Sequence, residues 1–98
     1  MSPINKKKLD KLRKKLDNLD NSFIKLIKKR TSLVKQVLEL KESKKQIIDR
    51  KRIDAVLKRI KSLSKKYKVN SLTVERIWKL MIKNFIILEN KLFKKTKD

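Results

Sequence analysis

Lysine is the default cation of this chain, so its six arginines carry more information than the charge itself. A guanidinium is a planar fork that grips a carboxylate through two parallel hydrogen bonds and never deprotonates. Arg30 stands on what is otherwise an apolar seam, while Arg13 and Lys41 share a heptad position beside that seam with Asp20, Ile27 and Val34. Further along, Arg52 follows Asp49 by one helical turn and directly precedes the apolar Ile53. Glu89 follows Phe85 by one turn, amid Ile82, Ile86, Leu88, Leu92 and Phe93. Each has a plain structural reading as well. A seam-edge cation can snorkel to water, Glu89 can pair with a nearby Lys, and Asp49 with Arg52 can be an ordinary i,i+3 pair. The joint pattern asks for more. Arg30 and Lys41 lie about 16 Å apart along one helix, close enough for two long side chains to bracket a small dianion. Arg13, about 25 Å from Arg30, cannot reach the same ligand in its own chain but can across an antiparallel dimer.

The elements that must position these groups are helices. Ser2 caps the first, with Pro3 at its first position, where the missing N–H costs nothing. From about Ile4 to Lys44 apolar residues recur at Leu9, Leu12, Leu16, Leu19, Phe23 and Leu26, then at Leu33, Val37 and Leu40. That is a heptad stripe with Arg30 filling its one gap in register. A second helix is expected from about Ile48 to Tyr67, on Ile53, Val56, Leu57, Ile60, Leu63 and Tyr67. A third starts near Asn70 or Ser71, with Val74, Trp78, Met81, Phe85, Leu88 and Leu92 as its stripe, flanked by Ile77, Ile82 and Ile86. Polar connectors fall near Glu42–Gln46 and Lys68–Ser71, and 94–98 reads as a frayed tail. No repeat or second domain is visible, so residues 1–98 read as one all-α domain of three helices. A first helix of about 40 residues is a rod of about 60 Å, longer than the roughly 34 Å diameter of a compact chain this size. Two shorter helices cannot cover its stripe, and a homodimer is the simplest closure.

Composition narrows the chemistry. The 98 residues hold 31 Lys plus Arg against 10 Asp plus Glu, a net charge of +21, with no Cys, His or Gly and one Pro. Thiol nucleophiles, His-based triads, zinc sites and phosphate-cradling Gly loops are therefore excluded, and no cofactor or metal is expected. Hydrophobic content of 39% is too high for a disordered basic tail. No apolar run is long enough for a membrane span or a signal-peptide core, so a soluble, cytoplasmic protein is expected. The Lys-, Ile- and Asn-rich, Gly-free composition also fits compositional drift, so the charge alone does not name a partner. A basic nucleic-acid binder is disfavoured because the aromatics are few and expected to be interior (Phe23, Trp78 and Phe85), and no helix-turn-helix spacing appears.

Taken together the motifs resemble the all-helical chorismate mutases over about residues 8 to 93. The resemblance rests on Leu-Asp-Lys-Leu-Arg (9–13), Leu-Asp-Asn-Leu-Asp (16–20), Leu-Ile-Lys-Lys-Arg (26–30) and Leu-Lys (40–41). It continues through Asp-Arg-Lys-Arg (49–52) and Val-Leu-Lys-Arg-Ile (56–60). It implies an intertwined homodimer with shared sites, no cofactor, and the rearrangement of chorismate to prephenate in aromatic amino-acid biosynthesis. It further implies that Arg13 crosses from the partner subunit to one substrate carboxylate and that Arg30 grips the other. Lys41 and Glu89 would act at the ether oxygen, with Asp49, Arg52 and Phe85 contacting substrate. To donate there, Glu89 must be protonated; apolar burial favours that form and Lys41 opposes it. The chain departs from the family at two places. Ile53 stands where a Glu is frequent and Phe85 where a small polar residue is common, a pattern also similar to isochorismate-pyruvate lyases.

Overall fold

A computed structural model describes residues 1–97, with side chains through Phe93. The helices are α1 (Pro3–Glu39), α2 (Arg50–Lys66) and α3 (Ser71–Lys97), with a short 3-10 turn, Lys44–Gln46, between the first two. No strand occurs among the described residues. The expected frayed tail, 94–98, lies outside the residues whose side chains are described.

Helix starts follow the capping chemistry of the sequence. The Ser2 hydroxyl accepts from the Asn5 N–H at 3.2 Å and its carbonyl from Lys6 at 2.9 Å, so α1 begins at Pro3. Asp49 caps α2 by accepting the Arg52 N–H at 3.0 Å, and the Asn70 side chain accepts the Thr73 N–H at 2.9 Å ahead of α3. Each bond satisfies an orphan donor of a first turn and is worth about 1 kcal/mol.

Helix ends are where the structure corrects the sequence reading. α1 stops at Glu39 rather than near Lys44. The Gln46 side-chain oxygen takes the Glu42 and Ser43 N–H groups, at 2.6 and 3.2 Å, and so offers those amides an alternative to the helical ladder. The Leu40 and Lys41 N–H groups bond instead to the Val37 and Leu38 carbonyls, both at 3.1 Å, which tightens the last turn. α2 likewise begins at Arg50, leaving Ile48 outside it, and ends before Tyr67. Tyr67 does not extend the buried stripe: it is 66% exposed, with the Lys66 ammonium 5.4 Å from its ring centre. At this end Lys68 takes φ 56°, Val69 N–H bonds to Ser64 carbonyl at 2.9 Å, and Lys68 N–H to Lys65 carbonyl at 3.3 Å. This is a Schellman closure built with Lys where Gly is usual.

The chain divides into two compact units, Met1–Leu33 and Val34–Asp98. The first is helix alone. Its seam residues Leu12, Leu16, Leu19, Phe23, Leu26 and Leu33 are 56–61% exposed, although their spacing is that of a buried stripe. In the second unit α2 packs on α3. Leu38, Ile47 and Phe93 form a buried cluster there, with Ile86 and Leu92 packed against it. Burying each such side chain is worth about 1.5–3 kcal/mol.

Candidate active site

The buried cluster fixes a pair of candidate groups that the structure brings together. Lys41 follows the last turn of α1, where Leu38 and Ile47 sit in the core on either side of it in sequence. Glu89 lies on α3 one turn before Phe93, the third member of that cluster. The Lys41 ammonium is 3.9 Å from a Glu89 carboxylate oxygen and 3.5 Å from the Ile47 carbonyl, to which it donates. Both side chains are largely withdrawn from water, 18% and 10% exposed. Removing charges from water costs several kcal/mol per ion unless they are paired, so apolar packing with a paired charge is what holds this arrangement. Chemically it offers an ammonium donor beside a carboxyl group, in surroundings where an anionic oxygen is held more tightly than in water.

The other candidates are placed as follows. Phe85, one turn before Glu89, is half-buried on α3. Asp49 and Arg52 are exposed at the start of α2, and the Asp49 carboxylate bonds to the Arg52 backbone rather than to its guanidinium. The alternative of an ordinary i,i+3 ion pair therefore gives way to a helix cap. Arg13 and Arg30 belong to the first unit, Arg13 exposed and Arg30 half-buried. The sequence reading missed Ile47, whose side chain is core and whose carbonyl receives Lys41. Its signal was the Ile47–Ile48 doublet after a polar connector, of which only the first residue buries.

The chain is thus an all-helical protein with an ammonium–carboxyl pair, Lys41 and Glu89, held on helix-anchored supports. The sequence comparison is more specific. The family model for chorismate mutase type II matches residues 12–90, and the chain belongs to that family. Membership in that family implies isomerase activity, and this chain is an isomerase of the chorismate mutase type. No significant match was found among curated proteins or among solved structures.

Proposed function

We propose that the chain rearranges chorismate to prephenate, in the cytoplasm, for phenylalanine and tyrosine biosynthesis, as a homodimer with shared sites. The observation that carries this reading is the Lys41–Glu89 pair, withdrawn from water at 3.9 Å. The reaction is a unimolecular pericyclic step in which one C–O bond breaks as a C–C bond forms. It calls for no nucleophile, only for a compact substrate conformer and for stabilisation of charge growing on the ether oxygen. In this reading Lys41 and protonated Glu89 donate to that oxygen. Arg30 and the partner subunit's Arg13 grip the two carboxylates. Asp49 and Arg52 order the polar edge, and Phe85 supplies an apolar wall.

A second reading, isochorismate-pyruvate lyase, is favoured by Ile53, which lines an apolar groove, and by the half-buried Phe85. Incubating the purified protein separately with chorismate and isochorismate decides between them. Prephenate from chorismate is the expected product. Salicylate and pyruvate from isochorismate, with no prephenate from chorismate, overturns the first reading in favour of the second.

A further inference from the structure

Lys41 and Asp49 bracket the connector between α1 and α2. Residues 40–49 contain no Pro and the chain contains no Gly, so neither residue that sets a turn through its own backbone is present. Order there comes from side chains, and one of them acts twice. The Gln46 side-chain oxygen accepts the Glu42 N–H at 2.6 Å and the Ser43 N–H at 3.2 Å. The Gln46 backbone N–H closes the same turn by donating to the Ser43 carbonyl at 3.1 Å.

The links are nested. Gln46 ties back to residues 42 and 43, and the Lys41 ammonium reaches across the outside of that ring to the Ile47 carbonyl at 3.5 Å. The outer contact therefore spans a stretch that the inner links have already folded back. Ile47 is also anchored by its side chain, buried with Leu38 and Phe93. Gln46 itself is exposed, as are Glu42 and Ser43. Without its oxygen the two amides turn to water at little cost, so the link supplies order in the connector rather than burial.

We propose that Gln46 is a positioning residue for the reaction: its side-chain oxygen folds the connector so that the Ile47 carbonyl holds the Lys41 ammonium beside Glu89. The inference rests on the reading in which Lys41 donates to the oxygen of the breaking bond. Charge grows on that oxygen only as the bond breaks. The carboxylates gripped by Arg30 and the partner subunit's Arg13 are charged throughout. Loosening Lys41 therefore lowers kcat and leaves KM nearly unchanged.

Three replacements in the full-length protein test this. Gln46→Glu keeps an acceptor oxygen at the same reach, Gln46→Asn withdraws it by one methylene, and Gln46→Leu removes it. In Gln46→Leu kcat is expected to fall about tenfold, with KM changed by less than about twofold. Gln46→Asn is expected to lose less, and Gln46→Glu to stay near the unaltered protein. A second arm reads the ammonium directly and needs no substrate. Reductive methylation followed by peptide mass spectrometry is expected to label Lys41 several times faster in Gln46→Leu than in the unaltered protein or in Gln46→Glu. Equal losses in Gln46→Glu and Gln46→Leu, a change confined to KM, or an unchanged Lys41 labelling rate in Gln46→Leu each overturns the proposal. If Gln46→Leu does not fold, Gln46→Asn carries both arms. If the unaltered protein makes no prephenate, the mutase reading fails, and the labelling arm alone decides whether Gln46 holds Lys41 in place.

Discussion

At the scale of single residues, the Lys41–Glu89 pair poses a question about one proton. An ionised carboxylate only accepts hydrogen bonds and repels charge developing on a neighbouring oxygen, whereas a protonated carboxyl donates. If Glu89 donates to the ether oxygen, turnover must fall as rising pH ionises it in the complex. A Gln amide donates at every pH, so Glu89→Gln is expected to flatten the profile and retain activity in the alkaline range. The measurement is turnover number across roughly pH 5 to 9 for both proteins. Superimposable profiles would remove Glu89 from the chemistry and leave it as the ion-pair partner of Lys41. The sequence placed Glu89 among apolar neighbours and Lys41 at a seam edge, which is why both stood out as candidates. It did not show that the Ile47 carbonyl holds the ammonium, because that contact depends on the backbone path of an irregular connector.

At the scale of elements, the starts of the first and third helices were legible, whereas the start of the second and the helix ends were not. Ser2, Asp49 and Asn70 are short polar side chains whose preference for the cap position is local, and each accepts a first-turn N–H of the helix that follows it. The ends depend on longer-range bookkeeping of carbonyls, and this chain contains no Gly to mark them. At the end of α2 the left-handed position falls to Lys68, with φ 56°. A Cβ in that region costs about 1–2 kcal/mol, while Gly loses more freedom on folding. The balance favours Lys68→Gly by about 0.5–1 kcal/mol, which raises the melting temperature by several degrees for a chain this size. Thermal unfolding of the two proteins at equal concentration checks it. An unchanged or lowered midpoint would mean that the exposed Lys68 side chain contributes packing that offsets the strain.

At the scale of the whole molecule, one chain buries too little. Among the described residues the buried apolar side chains are Leu38, Ile47, Ile60 and Phe93, while the seam leucines from Leu12 to Leu33, with Phe23, stay more than half exposed. Contiguous exposed apolar surface on this scale marks an association interface. Opposing it is the charge: two chains of +21 repel, and salt screens that repulsion. Self-association is therefore expected to tighten as salt rises from roughly 50 to 300 mM, the opposite of phosphate-driven nucleic-acid binding, which weakens. Association alone does not establish shared sites. That claim rests on Arg13, an exposed residue of the first unit with no role in its own chain's core. If Arg13 serves the partner's site, Arg13→Ala and Arg30→Ala each abolish activity alone. A heterodimer of the two variants has one site with both arginines and one with neither. Random exchange in an equal mixture makes half the dimers mixed, so about a quarter of the sites, and of the activity, should return. The assay is turnover before and after mixing, with subunit exchange followed independently by mass spectrometry. A mixture that exchanges subunits and stays inactive shows that Arg13 and Arg30 act within one chain, or that Arg13 acts only on folding.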